Sequence, residues 1–121
     1  MLNGVSEKQI TYAMKVRADA LNALEGWREI FADSQSPLGK NLFRLYTVAR
    51  ELIESYTEAR DVLDNAQKIV EEAKMLANDY ETCYTAVKAK FGKILTVKRM
   101  VANYTKPLTY ITADMFITKE A

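Results

Sequence analysis

The chain contains no histidine and only one cysteine in 121 residues, which excludes many kinds of catalytic and metal site. Without histidine there is no Ser-His-Asp or Cys-His nucleophilic system, and no zinc, haem or iron site that uses imidazole. Di-iron carboxylate bundles are excluded too, because they need a Glu-x-x-His pair from two helices. Cys83 lacks a partner for an internal disulfide or a thiolate cluster, so we expect a small buried hydrophobic residue. We therefore predict a non-enzymatic protein with no catalytic residue, no metal and no cofactor.

Long apolar runs are also missing, and no run approaches the roughly 18 residues that a membrane helix requires. The first eight residues show neither the apolar core nor the small-residue cleavage site of a signal peptide. A lone unpaired cysteine is typical of a reducing compartment. Together these features predict a cytoplasmic protein without a membrane partner.

Residues that break helices are scarce, with four glycines and two prolines, and none of them falls within residues 40–91. The composition is that of a folded domain, since 49% of the residues are hydrophobic and 27% are charged. The length fits one domain, so we predict a single helical domain over 1–121. Its expected parts are a helix over 6–33, a loop over 34–39, a long helical segment over 40–91, and a C-terminal helix and tail over 93–121.

The start of the first helix carries a capping signature. Ser6 and Gln9 have the spacing of a capping box, in which each side chain satisfies a backbone amide of the helix start. Val5 and Ile10 have the spacing of a hydrophobic staple across the same turn. We therefore expect the helix to begin at Ser6.

The long helical segment carries a heptad repeat, which is typical of left-handed helix packing. The repeat consists of Ala59, Leu63, Ala66, Val70, Ala73, Ala77, Tyr80, Tyr84, Val87, Phe91 and Ile94. We predict an all-α fold, a helical bundle or hairpin with one very long coiled-coil-like helix and a shorter C-terminal helix. A break that divides the long helix in two is the alternative, either near 55–58, where Ser55 and Glu58 form a second capping-box pattern, or near 64–66.

Charge is segregated along the chain although the net charge is only +1. Residues 51–81 carry nine acidic and three basic side chains, whereas residues 86–106 carry six basic side chains and no acidic one. One interpretation is that the basic stretch binds nucleic-acid phosphates. Its candidate phosphate-binding residues are Lys88, Lys90, Lys93, Lys98 and Arg99. The other interpretation is that it complements the acidic stretch within the bundle or across a dimer.

The opening helix resembles that of small uncharacterised proteins of phages and mobile elements. The resemblance lies in Ser6-Glu7-Lys8-Gln9-Ile10-x-Tyr12-Ala13-x-x-Val16-Arg17, and Ile111-Thr112-Ala113-Asp114-Met115-Phe116-Ile117 loosely matches their C-terminal pattern with shifted spacing. It covers about a tenth of the chain. The resemblance implies an accessory protein of a mobile element, a class that includes inhibitors of host-defence nucleases, and it assigns no catalytic residue.

Three functions follow from these patterns. The first is a helical protein–protein interaction module that binds another protein, or a second copy as a homodimer, through the heptad face. The residues of that face are Tyr56, Leu63, Val70, Tyr80, Tyr84 and Phe91. The second is nucleic-acid binding by the basic stretch. The third is a phage inhibitor of a host nuclease whose acidic face imitates phosphates, with candidates Glu51, Glu54, Glu58, Asp61, Glu71 and Glu72.

Overall fold

The computed structural model describes residues 2–91 and 110–117, and these residues are mostly helical. The helices are α1 (Glu7–Ile30), α2 (Pro37–Glu54), α3 (Ala59–Phe91) and the single turn α4 (Ala113–Phe116). No β-strand occurs in the described ranges, where an isolated bridge joins Asn3 to Glu58. The prediction of an all-α fold is confirmed for these residues. Most of the predicted C-terminal helix and tail, 93–121, lies outside them.

Local capping residues set the start of α1. The Ser6 hydroxyl accepts a hydrogen bond from the Gln9 N–H at 3.1 Å, as a capping box requires. The Gln9 side chain accepts from the Val5 N–H at 2.8 Å. The predicted staple is wrong, because Val5 is 94% exposed; Leu2, which is 2% exposed, enters the core from this segment instead.

The loop between α1 and α2 ends earlier than the predicted 34–39. Pro37 is the first residue of α2, a position where its missing N–H costs nothing. The Ser36 hydroxyl accepts from the Gly39 N–H at 3.1 Å and caps the helix. The residues assigned to the end of the loop therefore form the first turn of α2.

The prediction of one very long helix is wrong, because α2 ends at Glu54 and α3 begins at Ala59. The break lies at 55–58, one of the two alternatives, but not as a capping box: Ser55 is the C-cap of α2, and its hydroxyl donates to the Leu52 carbonyl at 2.6 Å. The N-terminal segment bridges the break through backbone hydrogen bonds. The Asn3 backbone N–H donates to the Thr57 carbonyl at 2.8 Å, and the Asn3 carbonyl accepts from the Ala59 N–H at 2.6 Å, which satisfies an amide of the α3 start.

The first three helices pack against one another around a shared core. The buried face of α3 is wider than a heptad seam, since Val62, Ile69 and Leu76 are fully buried beside the alanines of the repeat. A wide apolar stripe suits a helix that packs on two neighbours at once. The heptad pattern thus marks the core of one chain, and the alternative break at 64–66 lies inside a continuous helix.

The C-terminal segment 110–117 docks on α2 and α3 through buried side chains and a carboxylate. Ile111 and Phe116 are fully buried and Ile117 is 4% exposed. Glu72 Oε2 accepts hydrogen bonds from the backbone N–H groups of Tyr110 and Ile111, both at 2.8 Å. The segment is therefore part of the folded core.

Two helical glycines are expected to respond oppositely to alanine. A Cβ at Gly26 would meet no described atom within 4 Å, whereas a Cβ at Gly39 would lie 2.5 Å from the Ser34 Cβ. We expect Gly26→Ala to raise the free energy of unfolding by about 0.5–1 kcal/mol through helix propensity. We expect Gly39→Ala to lower it by about 1–3 kcal/mol through overlap. Urea denaturation of both variants measures these changes, and equal signs would contradict the packing around Gly39.

Candidate functional site

A groove runs along the outer face of α2, between the C-terminal end of α1 and α4. Its volume is about 470 Å³. We call it the α2 groove; it is lined by Phe31, Ala32, Ser34, Lys40, Phe43, Arg44, Thr47, Val48, Glu51 and Met115. Apolar side chains and charged side chains share this lining, which is the composition of many protein-binding surfaces.

A polar network braces the α2 wall of the groove. The Arg28 guanidinium lies 4.3 Å from the centre of the Phe43 ring, and its Nε donates to Thr47 Oγ1 at 2.8 Å. Glu25 pairs with Arg28 at 3.1 Å and with Arg50 at 2.7 Å, which ties α1 to α2. Phe43 and Thr47 are thus held in place by contacts within the chain, and a ligand would meet a preformed surface.

The α1 end of the groove rests on stacked aromatic rings. Phe31 stacks on Tyr46 with ring centres 6.4 Å apart and planes inclined by 14°, and Trp27 contacts the same tyrosine at 5.7 Å. Burial raises the pKa of the Tyr46 phenol above its ordinary value of 10.0, and the negative charge of Glu81 raises it further. The phenol is therefore neutral at physiological pH and acts as a packing group.

Met115 supplies the third wall through the short helix α4. Its neighbours Phe116 and Ile117 are buried in the core, while Met115 is 42% exposed. The docked C-terminal segment therefore fixes a flexible, polarisable side chain at the edge of the groove. Methionine is frequent on surfaces that accept varied apolar partners.

The charges of the groove are unevenly distributed. Lys40 and Arg44 lie one turn apart on α2 and are exposed, whereas Glu51 lies two turns beyond Arg44. Neither cation forms an ion pair with a residue of the described ranges 2–91 and 110–117. One end of the groove is positive and the other carries a carboxylate.

The predicted partner-binding face is partly buried in the chain's own core. Val70 is 6% exposed and Tyr80 is fully buried, where the Tyr80 hydroxyl accepts from Asn41 Nδ2 at 2.9 Å. Tyr56, Leu63 and Tyr84 are half-buried and pack against the core. The Phe91 side chain lies outside the described residues. In this fold Val70 and Tyr80 offer no surface to a partner, and Tyr80 is covered by Asn41 of α2 and Phe116 of α4.

The hydroxyl of Tyr56 has a raised pKa. Burial is the main cause, and Tyr110 and Asp61 nearby add to the rise. An ionised phenol at this position would lie next to a carboxylate, so the neutral form is favoured. Tyr56 is therefore not an acid or base that works near neutral pH.

The candidate acidic face is divided among several intramolecular roles. Glu51 lines the α2 groove, Glu54 pairs with Arg50 at 3.3 Å and Glu58 accepts from Asn3 at 3.5 Å. Asp61 and Glu71 are exposed on α3. Glu72 accepts hydrogen bonds from the backbone amides of Tyr110 and Ile111 in the C-terminal segment. Its carboxylate therefore helps to hold the fold of the described residues together.

The candidate phosphate-binding residues are not described by the structure at the level of side chains. Lys88 and Lys90 belong to the backbone of α3, and their side chains lie outside the described part of the structure. Lys93, Lys98 and Arg99 lie outside the described residues. The nucleic-acid interpretation of residues 86–106 therefore stays a prediction.

A second, smaller depression of about 400 Å³ lies beside the N-terminal segment. It is lined by Asn3, Gly4, Val5, Gln9, Glu58, Arg60 and Asp61. Arg60 pairs with Asp64 at 3.7 Å, and Asn3 contacts Glu58. These charged and amide groups already serve the α3 start, so the α2 groove is the better candidate.

The described ranges hold neither a metal-binding cluster nor a membrane-spanning helix. No three acidic or cysteine side chains there converge into a cluster that could hold a metal ion. No helix in the same part of the chain is long and apolar enough to cross a membrane. The α2 groove is therefore the candidate site that the described residues support.

Neither a protein-family model, nor a curated protein, nor a solved structure matches this chain. The assignment of the α2 groove as the candidate site therefore rests on its geometry. Sequence reasoning missed most of its lining, including Phe31, Phe43 and Met115, and included Glu51 only as an acidic residue. The sequence does carry one signal for this groove. Two basic residues, Lys40 and Arg44, and two apolar residues, Phe43 and Val48, have the helical spacing that places them along one side of α2.

Proposed function

We propose that this chain is a non-enzymatic helical module that binds a protein segment in the α2 groove. The observation that carries the proposal is a braced groove of about 470 Å³ that joins apolar walls to two cations without an ion-pair partner in the described part of the chain. Such a surface excludes water from apolar contacts and orients a partner through charge.

The chemical inventory supports binding over catalysis. The sequence has no histidine and a single cysteine, and the groove lining holds one carboxylate, Glu51. General acid–base work by carboxylates uses a pair with separated pKa values. A lone carboxylate beside cations suits recognition, and a cytoplasmic setting is consistent with the unpaired cysteine.

The surface proposed here differs from the heptad face. Val70 and Tyr80 are buried, so self-association through these residues would require the elements packed on α3 to separate from it. Binding in the α2 groove requires no such opening. We therefore assign the interaction to the α2 groove, with Met115, Phe43 and Val48 as its apolar contacts.

The proposal predicts that a charge at Met115 weakens partner binding. A displayed library of random peptides of about twelve residues is selected on the folded chain, and bound peptides are titrated against variants. We expect Met115→Glu to weaken binding by at least about tenfold, because a carboxylate would be desolvated against the apolar walls.

Met75→Glu is the matched control, since Met75 on α3 is 38% exposed, compared with 42% for Met115, and lies outside the groove lining. Circular dichroism and thermal unfolding establish that both variants keep the fold. The proposal is contradicted if no selected peptide distinguishes Met115→Glu from Met75→Glu.

A further inference from the structure

The cationic end of the α2 groove lacks a partner within the described chain. Lys40 is the fourth residue of α2, so its charge lies near the positive end of the helix dipole, where a cation is unfavourable. Arg44 follows at the i+4 position, and like charges at that spacing repel each other. Neither forms an ion pair with a residue of 2–91 or 110–117. A bound anion would relieve both effects.

The rest of the groove limits what that anion is part of. Phe43 lies between Lys40 and Arg44 along α2, Val48 lies one turn beyond Arg44, and Glu51 lies at the far end. Lys40 and Glu51 are eleven residues apart, which is about 16 Å along the helix axis. The groove therefore has its cations towards one end and its carboxylate at the other, with Phe43 and Val48 beside and beyond the cations.

We infer that the occupant of the α2 groove is an amphipathic protein segment with acidic residues towards one end and apolar residues beside and beyond them. This inference rests on the proposed function and adds the chemistry of the partner. A helical segment of about eleven residues, or an extended one of about five, spans the groove. Carboxylates meet Lys40 and Arg44, apolar side chains meet Phe43, Val48 and Met115, and a basic residue suits Glu51.

A protein segment fits this surface better than a nucleic acid does. A phosphate backbone repeats its negative charge at every nucleotide, and it would place one beside Glu51. The groove also presents its cations towards one end only, beside the aromatic wall of Phe43 and the aliphatic wall of Val48. Charge confined to one end of an apolar segment matches that distribution.

The experiment compares peptides selected from the displayed library on the wild-type chain and on Lys40→Glu/Arg44→Glu. Peptides that bind the wild-type chain are expected to be enriched in Asp and Glu at one end. Their affinity should fall by about tenfold or more on the double variant and should weaken with added salt. Selection on the double variant should lose the acidic enrichment.

Lys8→Glu/Lys15→Glu is the matched control, because both lysines are exposed on α1, lie outside the groove lining and give the same change in net charge. Peptides that are sensitive to Met115→Glu but show no acidic enrichment, or bind both double variants equally, overturn this inference and leave the proposed function standing. Peptides that are insensitive to Met115→Glu overturn both.

Two further outcomes assign the groove to another occupant. A single-stranded oligonucleotide that binds at low salt and is lost on Lys40→Glu/Arg44→Glu, but not on the control, would overturn the inference in favour of nucleic acid. A dimer in sedimentation equilibrium that dissociates on Met115→Glu would overturn it in favour of a second copy of this chain.

Discussion

Replacing Phe116 with alanine is expected to lower the free energy of unfolding by about 3–5 kcal/mol. The ring is fully buried and meets Tyr80 edge-on, with ring centres 5.7 Å apart and planes inclined by 83°. Truncation removes this aromatic contact and leaves a cavity that α4 and α3 can close only in part. The cost is large because Tyr80 is itself fully buried and hydrogen-bonded to Asn41.

Urea denaturation followed by circular dichroism measures this change, with Met115→Ala as the control. Met115 is the preceding residue of the same helical turn and is 42% exposed, so its truncation should cost under about 1 kcal/mol. A loss at Phe116 no larger than the loss at Met115 would mean that α4 does not contribute to the core.

Replacing Glu72 with alanine is expected to lower the free energy of unfolding by about 2–3 kcal/mol. Its Oε2 accepts the N–H groups of Tyr110 and Ile111, both at 2.8 Å, and Ile111 is fully buried. Hydrogen bonds to a charged acceptor contribute more than neutral ones, and their loss leaves a buried donor unsatisfied. Glu72→Gln keeps an acceptor oxygen at this position, so it should lose roughly half as much.

Amide hydrogen exchange gives a local measurement of the same contact. Protection of the Tyr110 and Ile111 amides should fall in Glu72→Ala by more than protection of the α1 amides does, because the lost contact joins α3 to the C-terminal segment. Glu71→Ala is the control, since Glu71 is exposed one residue earlier on α3. Unchanged exchange at Tyr110 and Ile111 in Glu72→Ala would contradict the assigned role.

The helical class and the capped start of α1 followed from local pattern. The choice between an unbroken helix, a break near 55–58 and a break near 64–66 did not, because apolar spacing and the lack of glycine and proline favour helix throughout this segment. The break at 55–58 is bridged by the Asn3 backbone, which hydrogen-bonds to Thr57 and Ala59 more than fifty residues later. Such a contact has no signature in the local sequence, because residues far apart in the chain supply it.

The candidate site was much less predictable than the fold. A heptad repeat shows which residues avoid water but does not show whether the covering surface comes from the same chain or another. Here Val70 and Tyr80 are buried within the chain, and Tyr80 contacts Asn41 of α2 and Phe116 of α4, so a pattern typical of a coiled-coil interface became part of an internal core. The α2 groove combines Phe31, Phe43 and Met115 from three elements. The resemblance to mobile-element proteins and nucleic-acid binding by residues 86–106 stay predictions.

The sequence by itself excluded sites that need histidine or several cysteines, and it determined the helical class and the Ser6 cap. Composition decides the first, and residue spacing within a few turns decides the other two. Only the tertiary structure decided where the long helical segment breaks, which face of α3 is covered and what Glu72 does. Each of these depends on a contact between distant parts of the chain, such as Glu72 with the amides of Tyr110 and Ile111. The missing histidine restricts what the protein can catalyse, and the packing of α1, α2 and α4 sets which surface is left for a partner.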